Sequence, residues 1–147
     1  MVRDLSSRLK AAAGAIALLR EYMRSFGPIR VVGDQIYAGP KLLNGDEELV
    51  DMFYERTLFG TTIFRGGVRI ATRAVQSGEQ ERALGTSAAP EVITMVFGRG
   101  ETFAGTTRTL GNEYAIVYEP LEDATGRRIG MLAGYRELIG HKGAPAS

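Results

Sequence analysis

Residues 61–73 read TTIFRGGVRIATR, two β-prone runs separated by a glycine pair. Thr61–Arg65 and Val68–Arg73 are rich in Thr, Ile, Val and Phe, and Gly66-Gly67 between them is a two-residue hairpin signal. This hairpin sets the grammar of the chain. Downstream, Thr102–Leu110 and Asn112–Glu119 read as two more strands turning at Gly111, and Asp123–Gly126 turns into a last strand, Arg128–Tyr135. Upstream, Ile29–Val32 and Gln35–Ala38 form a small hairpin about Gly33-Asp34. Strands joined by tight turns make an antiparallel sheet.

Three helices interrupt the strands. Asp4–Phe26 is free of proline and places Leu5, Leu9, Ala12, Ile16, Leu19 and Met23 at helical spacing, with Gly27-Pro28 as its stop. Asp46 is placed to cap Glu47–Arg56, which Gly60 is expected to close, and Ala89–Phe97 is a short helix with Pro90 in its first turn and Gly98 at its end. The order predicts an α+β, PAS-like domain. A central antiparallel sheet of about five strands carries the long N-terminal helix on one face; short helices and loops cover the other, where a ligand cavity would form. Residues 1–139 read as one domain and 140–147 as a flexible Gly/Ala/Pro-rich tail.

Composition removes several classes of function. The 147 residues include 18 Lys and Arg, 17 Asp and Glu, 1 His and 0 Cys, for a formal net charge of +1. So even a balance gives no electrostatic footprint for nucleic acid. Without cysteine there is no disulfide, thiolate nucleophile or cysteine zinc site. The single histidine, His141, lies in the tail, which argues against a histidine metal site or a Ser-His-Asp triad. Glu113 and Glu119 share a strand parity but stand about 20 Å apart, well beyond the roughly 5–9.5 Å of paired glycosidase carboxylates. Gly98-Arg-Gly100 lacks the phosphate-loop pattern. The reading is a non-enzyme without cofactor or metal. The apolar run Ala11–Leu19 is too short for a bilayer, which takes about 20 residues, and Asp4, Glu21 and Arg24 spoil it as an export signal.

An ordered series of segments resembles the single Cache sensor domains, of the fused Cache-3/Cache-2 type. It runs from VGDQIYAG (32–39) through LNG (43–45), LVD (49–51), TIFRGGVRIAT (62–72) and RALGT (82–86). It continues with PEV (90–92), FAG (103–105), Tyr114 to Tyr118-Glu-Pro120, DATG (123–126) and IGML (129–132). The resemblance implies a PAS-like sensor of bacterial chemoreceptors and sensor histidine kinases, binding a small molecule such as an organic acid. Two departures stand out. The family sits between transmembrane helices beside an output domain, and this sequence shows neither.

Candidate ligand residues follow from strand alternation. Arg69, Ala71 and Arg73 share one face of their strand, and Val68, Ile70 and Thr72 share the other. A guanidinium fork matches a carboxylate, so Arg69 and Arg73 are carboxylate receptors unless they face solvent or pair with acidic residues. The place of Arg69 in the family's central hairpin favours it, and Thr72 joins the candidate set. Tyr114, Ile116 and Tyr118 share a face; Tyr114 is the stronger ligand contact and Tyr118 has a structural alternative. Arg82, Thr86 and Ser87 precede the short helix and are either an anion site or a capped helix start. Phe64, Phe103 and Arg108 are expected to border the same cavity, with facing open by one residue.

The expected partners are a small carboxylate-type molecule and a second copy of the chain through the N-terminal helix. The output partner is not specified by the sequence. A stand-alone chain would be cytoplasmic, and an excised receptor segment extracytoplasmic. The competing reading is an interaction module of the same fold whose cavity is plugged by Phe64, Leu84 and Met95.

Overall fold

The long N-terminal helix forms as its spacing predicts. In the computed structural model, which describes residues 2–75 and 78–138, it spans Val2–Arg24 (α1). Ala12, Ala15, Ile16, Leu19 and Met23 are buried along one stripe, each of the larger side chains contributing roughly 1.5–3 kcal/mol of burial. The polar face holds the helix in place: Arg20 Nη2 lies 2.7 Å from Glu119 Oε1, and Nη1 donates to the Pro120 carbonyl at 3.3 Å. The helix sits very close to the sheet at Gly134, where a Cβ would stand 2.7 Å from the Ala12 carbonyl oxygen. Any side chain there would lift the helix.

Ile29–Val32 (β1) and Gln35–Ala38 (β2) pair antiparallel as expected, and a two-residue strand, Lys41–Leu42 (β3), joins them unforeseen. Asn44 ties the turn by accepting from Ile36 N at 2.9 Å and donating to Asp34 O at 3.1 Å. Asp46 caps Glu47–Thr57 (α2) by accepting from Leu49 N at 3.2 Å. Gly60 does not close this helix. Leu58 takes the left-handed cap position, φ 63°, and donates its N–H to Tyr54 O, leaving Gly60 to begin the next strand.

Gly60–Arg65 (β4), Val68–Thr72 (β5), Phe103–Thr109 (β6), Asn112–Glu122 (β7) and Arg128–Glu137 (β8) form one antiparallel sheet in the order β5-β4-β8-β7-β6. This is the predicted α+β, PAS-like arrangement. β7 runs past Pro120, which pairs with Met131 on β8 but lies beyond Tyr118, the last β7 residue opposite β6. The missing N–H of a proline is tolerable where one flank of the strand is unpaired. The expected short helix is a turn of α-helix, Pro90–Val92 (α3), widening into a π-helical segment, Ile93–Gly98.

Both faces of the sheet are covered. Under α1 and α2 lies an apolar layer including Ile63, Ile70, Val117, Leu121, Ile129 and Leu132. Opposite, Phe64, Ile116, Met131 and Ala133 pack with three tyrosines against Val92 and Val96. The edge of β5 is closed by the segment before α3: Arg69 N donates to Thr86 O, Gly85 N to Arg69 O and Ala88 N to Gly67 O, at 2.9–3.0 Å. Among the described residues no helix is long and apolar enough to cross a membrane. His141 and the proposed tail lie outside the described residues.

Candidate functional site

A bulge in β5 decides which side chains meet. Phe64 pairs with Arg69 but Ile63 pairs with Ala71, so Ile70 is an extra residue on β5. Its carbonyl leaves the ladder and accepts from Gly45 N at 2.6 Å. Ile70 and Ala71 consequently both join the layer under the helices, while Arg69 and Thr72 lie on the opposite face with Phe64 and Thr62. The simple alternation that grouped Arg69, Ala71 and Arg73 is thus corrected, because an inserted residue inverts the parity beyond it.

Arg69 is 3% exposed. Its Nη1 donates to Thr86 Oγ1 at 3.0 Å and to the Ser87 carbonyl at 2.9 Å, and its Nη2 donates to Thr109 Oγ1 at 3.3 Å. The guanidinium carbon stands 5.4 Å from the centre of the Phe64 ring. Of its five N–H donors, Nε–H and one on Nη2 have no acceptor among the described residues. None of the ion pairs among the described residues includes Arg69. Burial lowers its pKa from the ordinary 12.5, and Tyr118, Tyr135 and Tyr114 oppose that shift.

The three tyrosines wall the cavity that Arg69 enters, together with Thr62, Phe64, Ala74, Thr109, Leu110, Ile116 and Ala133. Tyr114 and Tyr135 meet edge to face, ring centres 5.3 Å apart. Thr62 Oγ1 and Thr72 Oγ1 are 2.7 Å apart, and the Tyr135 hydroxyl lies 3.3 and 3.5 Å from them. Tyr118 is 1% exposed, and its hydroxyl has no hydrogen-bond partner among the described residues. Burial pushes its pKa up to about 12, Arg69 pulling the other way, and burial likewise raises that of Tyr114. These phenols stay protonated at neutral pH and are hydrogen-bond donors. The free space left at the centre is only about 10 Å³, room for one water-sized body.

Other candidates are placed elsewhere. Arg73 Nη1 bonds Asp51 Oδ1 at 3.1 Å and stacks on Tyr54; Arg82 Nη2 reaches the same carboxylate at 2.9 Å. Arg82 also donates to the Thr72 carbonyl at 3.3 Å, so the pair ties α2 to the segment that touches Arg69. Arg108 is exposed and bonds the Gly111 carbonyl in its own turn. Phe103 packs against the Tyr118 ring behind the cavity wall. Leu84 is 43% exposed and plugs nothing, and Met95 packs into the layer around the cavity without lining it.

Thr62, Thr109, Leu110 and Tyr135 were not singled out from the sequence. Tyr135 escaped because β8 is buried on both faces, so no polar alternation marks its inward side. Leu110 lies in the turn, where strand parity says nothing, and Thr109 is the last residue of β6 before it. Leu110, φ 55°, and Gly111, φ 82°, are the two central residues of the β6–β7 hairpin, a conformation that favours Asn-Gly. Among the described residues no group of three His, Cys, Asp or Glu is placed to hold a metal.

The family model described as "Single cache domain 3" matches residues 41–137, about two thirds of the chain. No curated protein matches the sequence. Among solved structures, the E. coli DcuS sensor domain is similar over 69% of this chain and 72% of its own, with 15% identity and a TM-score of 0.49.

Proposed function

The chain belongs to the single Cache domains, a family of non-enzymatic small-molecule sensing modules in signal transduction, and we propose on that premise that it senses a small organic acid at Arg69. One observation carries the reading. The guanidinium of a buried arginine, with unused donors and no carboxylate partner among the described residues, shares a cavity with the hydroxyl of a buried tyrosine. An uncompensated buried cation is costly, and a carboxylate ligand is the chemistry that relieves it. Arg69 Nε and Nη2 receive the two oxygens, Tyr118 donates a further hydrogen bond, and Thr86, Ser87 and Thr109 hold the fork in place.

The sheet carries the signal by construction. Tyr135 on the cavity side is adjacent in sequence to Gly134, on which α1 rests. A ligand that moves Tyr135 changes the seat of the helix, and differential affinity for two seats biases the equilibrium between them. We extend the proposal to a homodimer through α1, whose Leu18 and Tyr22 are 52% and 36% exposed. Its check is the molar mass in solution by light scattering. A monomer at all concentrations would remove that extension.

The competing reading, an interaction module without a working cavity, draws on the narrow free space around Arg69. A thermal-shift screen against small carboxylates separates the two. A ligand at a hundred times its Kd adds about 2.7 kcal/mol of stability. A hit lost in Arg69→Gln supports sensing. No stabilisation by any acid in a broad set would leave the interaction module.

A further inference from the structure

Beside the Arg69 cavity lies a second, larger chamber of about 300 Å³, open to solvent and lined by Tyr54, Gly60 and Val75 among others. The two spaces share Ala74, Tyr114 and Tyr135. We propose that they are two halves of one site, divided by the Tyr114–Tyr135 ring pair, and that the ligand is an elongated monocarboxylate lying across both. Its carboxylate sits on Arg69 and its tail in the outer chamber. This rests on the reading of Arg69 as a carboxylate receptor and adds the shape and charge of the ligand.

Three observations lead there. First, the inner cavity has free space for about one water, too little for any organic acid unless a wall moves, and the space next door is some thirty times larger. Second, the dividing wall is made of side chains and not of backbone, and its Tyr135 hydroxyl is weakly bonded. The ring pair is worth on the order of 1 kcal/mol, and the Tyr135 hydroxyl makes only long bonds, 3.3 and 3.5 Å against about 2.8 Å for a strong one. Gly60 faces the Tyr135 ring without a side chain; a Cβ there would stand 2.4 Å from Tyr135 Cε2. The ring therefore lies against bare backbone. Third, the charges define one carboxylate only. Among the described residues Arg69 is the single cation lining the inner cavity. In the outer chamber Arg73 is committed to Asp51, and Arg136, exposed and stacked over Phe59 at 5.5 Å, shares the chamber with the opposite charge of Glu137. A second carboxylate gains little there, whereas a tail lies against Tyr54, Val75 and the two rings.

The test is calorimetric titration of the protein with the straight-chain monocarboxylates from acetate to octanoate. Affinity is expected to rise about fourfold for each methylene that enters the outer chamber, then level off once it is filled. The dicarboxylates of matching length are expected to bind at least tenfold more weakly. Val75→Trp, which narrows the outer chamber, should weaken the longer acids at least tenfold more than the shortest binder. Equal affinity along the series overturns the two-chamber site, and because the series uses the unaltered protein, this outcome does not depend on the variant folding. If acids bind, Arg69→Gln abolishes binding and the series is flat, the carboxylate reading stands and this inference alone falls. If no acid binds, or binding survives Arg69→Gln, the reading beneath it falls as well.

Discussion

The two faces of the central sheet are built from neighbouring residues of the same strands, yet they are different materials. On the helix side Ile63, Val117 and Leu132 meet Ile16 and Leu19 in a mainly apolar layer, with Thr61 buried on the same strand face and Glu119 paired to Arg20. On the other side Thr62, Phe64, Tyr118 and Tyr135 surround a buried arginine and a residual space. The first face is closed by the protein's own helices. The second holds guanidinium donors of Arg69 that no acceptor among the described residues uses, beside free space, which is what a binding face needs. Stability and recognition have been assigned to opposite sides of a layer one strand thick.

That division can be broken most severely from the helix side. Ile16→Ala removes a fully buried side chain from under the sheet and is expected to cost about 2–5 kcal/mol, read by urea denaturation. Acid selectivity should be unchanged in whatever fraction remains folded. A lasting change in selectivity would mean that the faces are not independent.

Arg69→Met tests the converse. Binding of the best acid should fall by about 2–5 kcal/mol, whereas the unliganded protein should lose no more than about 1 kcal/mol, since replacing a buried charge by an apolar chain of similar length is often neutral or stabilising. Large destabilisation of the unliganded protein would show that Arg69 is a structural pillar and not a receptor.

Alkaline pH sharpens the contrast through the buried phenol on the cavity face. The Tyr118 pKa is raised from 10.0 to about 12 in the folded chain. Its contribution is therefore complete below the unfolded value and is lost as pH climbs towards 12, amounting to roughly 2–3 kcal/mol. Tyr118→Phe should be nearly as stable as the parent at pH 7 and more stable than it near pH 12. Parallel alkaline curves for the two proteins would contradict the burial of the phenol.

The smallest effect concerns the rim. Leu110 occupies a left-handed position that suits Asn, so Leu110→Asn should raise the unfolding free energy by about 1 kcal/mol while widening the cavity mouth. A lower melting temperature would show that the packing of the leucine outweighs its backbone strain.

Much of this molecule is legible in one dimension. Helical spacing from Leu5 to Met23, the glycine pair at 66–67 and the turns at 111 and 123–126 locate the long helix and the principal strands, because local sterics and burial patterns decide them. From LNG at 43–45 onward, the segments resembling Cache domains fall within the family model's match to residues 41–137; VGDQIYAG (32–39) lies upstream of it. The candidate site was legible only in part. Arg69, Tyr114, Tyr118 and Phe64 are brought to one cavity and Thr72 stands behind it, bonded to Thr62, but Arg73, Arg82 and Arg108 are placed elsewhere.

The tertiary structure alone decided the rest, for two reasons. The bulge at Ile70 inverts strand parity, and nothing in VRIAT announces it; it arises from the pairing of β5 with β4 and the capture of the Ile70 carbonyl by Gly45. Whether an arginine is free or spent depends on residues far off in the chain, as Asp51 shows by holding both Arg73 and Arg82. The sequence alone determined the sheet, its helices and a family resemblance, which follow from local preference. Which guanidinium was left unpaired inside was settled by long-range contacts, since charge compensation is a property of neighbours in space.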